Sequence, residues 1–232
     1  MKIRYGILFL CFIGIAFTSA LFGEERNDEW KKIKEADGIS CYSRPTSKSS
    51  INELKAEGAV DSPVAVIEAV IRDIPAQPEF MFMCAEAYKV DIPGYQNTGD
   101  IRHFYNRTDM PWPVADRFFI GRSHAMIDRE KGIVYLTAHS IACEFKVEDK
   151  TMVRMPIVEA RWVLKPSGKD RTEVTYQVLG DPGGRLPAFL VNMITNDMGL
   201  KAIQGLRNMV KKEKYRNVKT IVTQTPFDGK AG

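Results

Sequence analysis

The chain's histidines are its first candidates for catalysis or metal binding, because imidazole serves both purposes. There are three, His103, His124 and His139, and no two have the spacing of metal ligands. The sequence contains no GxSxG, no HExxH and no glycine-rich phosphate loop. Asp116 beside Arg117 is better suited to fixing a turn by ion pairing. We therefore predict no catalytic residue, no metal site and no cofactor.

The cysteines form no recognisable zinc or disulfide pattern. Cys41, Cys84 and Cys143 follow the N-terminal apolar segment, and no CxxC is present. Three thiols cannot pair completely. Two interpretations stay open: one disulfide with a free thiol, or three thiols buried as small apolar side chains.

The N-terminal segment has the pattern of a targeting signal. Lys2 and Arg4 precede an apolar run over 7–18 that is too short to span a bilayer comfortably, and small residues lead up to Ala20. We predict a signal peptide over 1–20 and a periplasmic or secreted protein. The alternative is an uncleaved helix that keeps the protein at the membrane.

Composition indicates a globular domain without a strongly charged surface. The 232 residues include 33 Lys and Arg against 29 Asp and Glu, and 44% are hydrophobic. This fraction is enough for a full core and excludes extensive disorder. The charge balance is not that of a nucleic-acid binder, so we expect no nucleic-acid partner, and we expect a monomer.

Hydrophobic periodicity predicts helices at both ends of a long run of strands. Asp28 to Ala36 is predicted to be a short helix ended by Gly38. A second helix begins at Ser62 as its cap with Pro63 in its first turn, and a third short one covers 79–83. Period-two alternation and turn signals predict strands over 39–44, 51–60, 86–92, 99–107, 117–128, 132–141, 153–165 and 171–180.

The last predicted element is a long helix from Leu186 to about Lys212. Its apolar side chains fall on two faces with Gly199 between them, which favours a bend near 196–199 that serves as a hinge. One straight helix with a broad buried face is the alternative. Asp197 is expected to turn outward, and the tail from Val218 is predicted to be loose. This order predicts an α+β fold in which a curved antiparallel sheet grips the last helix around a cavity.

Three segments carry a family resemblance. Asp181–Asn192 (DPGGRLPAFLVN) resembles the segment that opens the last helix of START domains, the lipid-transfer domains related to the steroidogenic acute regulatory protein. Met110–Arg117 (MPWPVADR) is similar to the family's proline-rich turn, and 73–87 to its helix-to-strand passage. The resemblance covers 28–214, leaving 215–232 as a tail. It implies the helix-grip fold and a tunnel for one lipid beneath the C-terminal helix.

The sequence departs from the family pattern where a polar head would bind. Phe118 replaces the second Asp of an Asp-Arg-Asp strand, and Ser123 lies where family members often place an inward Arg. Arg122 would recover that role only if a bulge shifted the strand. Alternation along the strands and the last helix gives the candidate ligand-binding residues: Phe119, Ser123, Trp162, Tyr176, Phe189, Met193 and Leu200.

The predicted function is binding of a single lipid or other hydrophobic molecule, for transfer or sensing, with transient contact to membranes. Two other classes stay open. Related helix-grip proteins include cyclases and hydrolases that act inside the same kind of cavity, and a helix over a filled cavity would suit a protein-interaction module.

Overall fold

The computed structural model describes residues 29–229, so the predicted signal peptide lies outside the described residues. Within them one large antiparallel sheet has the strand order β1-β2-β3-β10-β9-β7-β6-β5-β4, and a short β8 pairs in parallel with β6. The strands are β1 (Lys31–Ala36), β2 (Ile39–Arg44), β3 (Glu53–Val60), β4 (Cys84–Lys89), β5 (Ile101–Thr108), β6 (Arg117–Asp128), β7 (Ile133–Ser140), β8 (Val153–Arg154), β9 (Ile157–Pro166) and β10 (Thr172–Asp181).

The helices lie before and after the long run of strands. Helix α1 spans Val64–Arg72 and leads into a 3₁₀ helix over Ile74–Glu79; α2 spans Ala188–Met209 and α3 spans Glu213–Arg216. Pro63, not Ser62, occupies the N-cap of α1, and no side chain caps that helix. The short helix predicted over 79–83 instead lies earlier, because Pro75 and Pro78 are accommodated in the 3₁₀ turn. Among the described residues no helix is long and apolar enough to cross a bilayer.

The predicted first helix is wrong, because this segment is strand β1 of a hairpin. Asp37 and Gly38 both have positive φ, 54° and 67°. An Asp-Gly pair with two positive φ values makes the tight turn that suits antiparallel strands. Ala36 accordingly pairs with Ile39, and the pairing continues to Lys31 and Ser43. Gly38 therefore ends no helix; it closes a two-residue hairpin turn.

Strand alternation correctly predicts the concave face of the sheet. Ala125, Trp162, Leu164, Val174 and Tyr176 are all buried in one core cluster. The same cluster contains buried residues of both major helices, among them Ile67 and Val70 from α1 and Leu200, Ile203 and Leu206 from α2. The sheet therefore holds its helices against one face, which is the helix-grip arrangement.

Helix α2 is continuous from Ala188 to Met209, so the helix is not broken near 196–199. A Cβ placed on Gly199 would lie 2.7 Å from the Cβ of Ala56 on β3. A Cβ on Gly205 would lie 2.5 Å from the carbonyl oxygen of Phe80. Such distances are shorter than carbon contacts allow. Gly199 thus permits close packing of α2 on the sheet, and nothing in the helix marks it as a hinge.

The C-terminal segment after α3 is bound to the domain, which corrects the prediction of a loose tail. We call residues 221–227 the strap. The fully buried carboxylate of Glu68 in α1 accepts hydrogen bonds from Val222 N and Thr223 N, each at 2.8 Å, and from the Thr223 hydroxyl. Farther along, Phe227 N donates to Ile127 O at 2.9 Å.

Candidate ligand cavity

An apolar cavity lies between α2, the 3₁₀ helix and the concave face of the sheet. Its volume is about 170 Å³. Strands β3, β5, β6, β7, β9 and β10 all contribute to its wall, so the whole grip is needed to build it. Its largely apolar lining includes Leu54, Phe104, Phe119, Ala160, Trp162, Tyr176, Ile194 and Met198.

The cavity is smaller than a whole lipid but has adaptable walls. A volume of about 150 Å³ accommodates one benzene ring, so the space holds a ring or a short length of acyl chain as it stands. Five of the ten methionines line it: Met81, Met83, Met110, Met155 and Met198. Methionine side chains are flexible and polarizable. A larger guest therefore requires the walls to move, and the wall composition favours such movement.

Two polar tips in the cavity have no hydrogen-bond partner in the described part of the chain. The rings of Trp162 and Tyr176 stack with centroids 4.1 Å apart on neighbouring strands. Among residues 29–229, neither the indole N–H nor the phenol hydroxyl makes a hydrogen bond, although buried groups of this kind usually do. Burial raises the pKa of Tyr176, so its hydroxyl stays protonated. The pair offers two donors to a ligand hydroxyl or carbonyl.

A smaller chamber of about 60 Å³ adjoins the cavity. The two spaces share lining residues, including Gln77, Phe104 and Trp162. This second space, which we call the deep chamber, is polar at its far side, where Arg72, Asp100 and Arg102 line it. Side by side, the two spaces present an apolar body and a charged end.

The predicted ligand-binding residues divide into two groups. Phe119, Trp162 and Tyr176 line the cavity, and Ser123 lines the deep chamber. The three residues predicted from α2 lie outside both linings: Phe189 is 58% exposed, Met193 is partly buried beside the proline-rich turn, and Leu200 is buried in the core.

The helix face that lines the cavity is instead Ile194 and Met198, one turn apart. Apolar residues surround much of α2, so periodicity alone did not fix which face meets the cavity. Asp197 turns outward as expected and pairs with Lys34 at 2.9 Å.

The register of β6 decides the question of the inward arginine. Strands β5 and β6 pair without a shift from Ile101↔His124 to Thr108↔Arg117, so no bulge turns Arg122 inward. Ser123 faces the deep chamber, and its hydroxyl donates to Arg102 O at 3.3 Å. The residue opposite Ser123 on β5 is Arg102 itself. A guanidinium therefore does line the chamber, but it comes from the neighbouring strand β5. The alternation of β6 alone gives no sign of it.

Asp116 and Arg117 fix the proline-rich turn, but not by pairing with each other. Asp116 pairs with Arg107 at 2.7 Å and accepts a hydrogen bond from Met110 N at 2.9 Å. Buried Arg117 donates to the carbonyl oxygens of Ala115 and Pro182. The turn is thus tied both to β5 and to the segment that leads into α2.

The histidines and cysteines are dispersed. Burial lowers the pKa values of His103, His124 and His139, which favours neutral imidazoles. His103 lies on the face of β5 away from the cavity, with its Nδ1 3.0 Å from Asn97 Oδ1. Cys41, Cys84 and Cys143 are free thiols, and burial raises the pKa of Cys84 to about 11.

The fold and the sequence together decide the family. Residues 19–216 match the START domain family. The chain belongs to the START domain family. Its helix-grip fold, predicted from the sequence, is confirmed by solved START structures. The STAR-related lipid transfer protein of Xanthomonas axonopodis is 24% identical with a TM-score of 0.68, over 79% of this chain and 99% of that one.

Other relatives of this START domain are bacterial and mammalian. An uncharacterized protein of Pseudomonas aeruginosa is 29% identical over 84% of this chain and 95% of its own length. The phosphatidylcholine transfer protein of Mus musculus is 24% identical over 71% of this chain and 75% of its own. Human STARD10 shares the fold with a TM-score of 0.67 at 18% identity, over 82% of this chain and 77% of that one. The family match ends at residue 216, so the strap lies beyond it.

Proposed function

We propose that this START domain binds one hydrophobic molecule in its internal cavity and carries it through water without changing it chemically. The observation that supports this most is the apolar cavity beneath α2, in which Trp162 and Tyr176 offer hydrogen-bond donors that no group within residues 29–229 accepts. Burying apolar ligand surface contributes about 25 cal/mol per Å². A guest that buries a few hundred Å² thus gains several kcal/mol before the cost of its own ordering.

The carrier proposal includes transfer outside the cytoplasm, on the pattern of residues 1–20. Lys2 and Arg4, the apolar run and the small residues before Ala20 have the order of a signal peptide. The intact mass of the protein recovered from cells tests this directly. Cleavage after Ala20 yields a chain that begins at Leu21, and a full-length chain held in the membrane fraction would favour the anchor instead.

Loading and release are proposed to occur at a membrane, through the end of the domain that carries the proline-rich turn. Met110 and Val114 of this turn pack with Leu190 at the start of α2. Trp112 at the tip of the turn is 91% exposed, and Phe189 on α2 is 58% exposed. Indole side chains favour the membrane–water interface. This end therefore combines a membrane-seeking tip with the start of the helix that covers the cavity.

Lipid transfer between vesicles tests both statements. Fluorescent lipid leaves donor vesicles for acceptor vesicles faster when the protein is present. Trp112→Ser slows this transfer several-fold while ligand binding in solution is unchanged. Val222→Ser is the matched control. It changes an exposed apolar side chain away from the proline-rich turn, on the strap, and has no effect on transfer. A protein that neither binds lipid nor accelerates transfer would contradict the carrier function.

A further inference from the structure

The deep chamber contains an arginine whose hydrogen-bonding capacity is largely unused. Within residues 29–229, Arg102 on β5 donates a single hydrogen bond, from Nη1 to Arg72 O at 2.9 Å. No carboxylate among residues 29–229 lies within ion-pair distance of its guanidinium. A guanidinium has five N–H donors in a planar fork. Arg102 therefore keeps donors available in a space that adjoins the apolar cavity.

The acidic groups near Arg102 are all engaged elsewhere. Asp100 pairs with Arg72 at 3.0 Å through Oδ1, and its Oδ2 accepts hydrogen bonds from the strap, from Gln224 N, Thr225 N and the Thr225 hydroxyl, each at 2.9 Å. Glu68 is covered by the strap. Asp73 accepts from Lys214 at 3.0 Å and from the Tyr215 hydroxyl at 2.9 Å.

The strap thus gives the deep chamber its chemical character. Two guanidinium groups and two carboxylates, those of Arg72, Arg102, Glu68 and Asp100, balance in formal charge. The neutral N–H groups of the strap donate hydrogen bonds to the carboxylates of Glu68 and Asp100. Arg72 forms ion pairs with both of these carboxylates, and Arg102 pairs with neither of them. The guanidinium of Arg102 therefore keeps unused N–H donors, whose fork geometry matches a planar acceptor with two oxygens.

We propose that Arg102 is an anion-binding subsite at the end of the ligand cavity, and that the ligand is a single-chain amphiphile with a carboxylate head. The proposal rests on the carrier function and names its ligand class. The deep chamber of about 60 Å³ holds about two water-sized groups. A carboxylate, with two oxygens, is the smaller of the anionic heads that a guanidinium fork binds. The apolar chain would extend past Phe104 and Trp162 into the cavity.

The strap would then control which ligands bind, because it determines whether Asp100 is available to pair with Arg102. Where it is bound, both carboxylate oxygens of Asp100 are occupied, Oδ1 by Arg72 and Oδ2 by Gln224 and Thr225. Where it is released, Asp100 loses three hydrogen bonds and is free to pair with Arg102, which then competes with an anionic ligand. The strap therefore acts on ligand choice without touching the ligand.

Three ligands of equal chain length test the proposal on the delipidated full chain: dodecanoate, dodecanol and dodecyl phosphate. Calorimetric titration is expected to give an affinity for dodecanoate about 10- to 100-fold above that for dodecanol, as for one or two charge-assisted hydrogen bonds. Arg102→Gln removes this preference and leaves the affinity for dodecanol unchanged. Arg122→Gln on the other face of β6 is the matched control and retains the preference.

The outcomes separate the subsite from the carrier function. Equal affinities for dodecanoate and dodecanol, or a preference that survives Arg102→Gln, overturn the subsite while the carrier function stands. Dodecyl phosphate binding as tightly as dodecanoate overturns the assignment of a carboxylate. Binding of none of the three ligands overturns the single-chain ligand class together with the subsite. The double variant Thr223→Val/Thr225→Val, which weakens the strap, is expected to reduce the preference for dodecanoate, and an unchanged preference contradicts the role of the strap.

Discussion

Replacement of Thr223 by valine measures how strongly the strap is bound. Thr223 is 1% exposed, and its hydroxyl both donates to Glu68 and accepts from Arg72 Nη1 at 2.7 Å. Valine preserves the shape and removes both bonds. Glu68 keeps two backbone N–H donors and an ion pair with Arg72 at 3.5 Å. The loss is therefore that of hydrogen bonds and does not leave the buried carboxylate without partners.

The expected cost is about 2–4 kcal/mol, because a hydrogen bond to a charged group contributes about 1.5–3 kcal/mol and two bonds in one network do not add fully. Urea denaturation of the full chain measures it. The midpoint falls and the slope stays unchanged, as expected when native stability alone is altered.

Thr225→Val is the matched control. It removes one hydrogen bond, from the Thr225 hydroxyl to Asp100, at a half-buried position where Asp100 keeps its other partners. We expect a cost of about 0.5–1.5 kcal/mol. An unchanged midpoint for Thr223→Val, or a larger loss for Thr225→Val, would refute the reasoning that the strap covers a buried charge.

Three further predictions follow from the packing, the cavity and the strap. Gly199→Ala lowers stability by about 1–2 kcal/mol through overpacking, and Ala56→Gly in the same chain restores the melting temperature; a stabilised single variant would contradict the close contact. Ile194→Trp fills the cavity and abolishes uptake of a fluorescent fatty acid, whereas Phe189→Trp leaves uptake intact; equal effects would refute the cavity assignment. In the folded protein, burial raises the pKa of Asp100, but the hydrogen bonds from the strap and Arg72 lower it by more. The pKa therefore lies below its ordinary value of 3.8. The ionised Asp100 carboxylate thus stabilises the fold above pH 3.8, and this stabilisation is lost as the pH falls through the lowered pKa of the folded state. Asp100→Asn therefore destabilises the protein at pH 7 and not in strong acid. A difference in unfolding midpoint that does not depend on pH would exclude this linkage.

The sheet was predictable because its signals are local. Turn residues such as Lys131-Gly132 separate runs of period two, and the alternation within β6 indicates which of its side chains face the concave side. The same alternation places Trp162 and Tyr176 on the concave face. The family segments supplied the last step, from a run of strands to a sheet that grips a helix.

The errors arose where tertiary contacts decide. A Gly after an apolar segment predicts a helix end, because Gly often ends helices, whereas the strand pairing that makes Asp37-Gly38 a hairpin turn is visible only in the fold. A glycine inside a helix predicts a weak point, but Gly199 is needed there because Ala56 lies directly against it. The strap has no periodicity because its partners, Glu68 and Asp100, are distant in sequence.

The sequence does not identify Arg102 as a lining residue, for the same reason. Its side chain lines the deep chamber because it lies across from Ser123 in the β5–β6 pairing, and a single strand does not specify its neighbour. The signal that could have found it is the cross-strand register, once the Met110–Arg117 turn had been taken to join two adjacent strands.

Native mass spectrometry of the full chain, purified without detergent and compared with Ile194→Trp, tests the ligand cavity most directly. The account predicts that the unaltered chain carries a single hydrophobic molecule at one copy per protein, and that the variant carries none. An unaltered chain that arrives empty and stays empty after incubation with a mixture of lipids and fatty acids would contradict it.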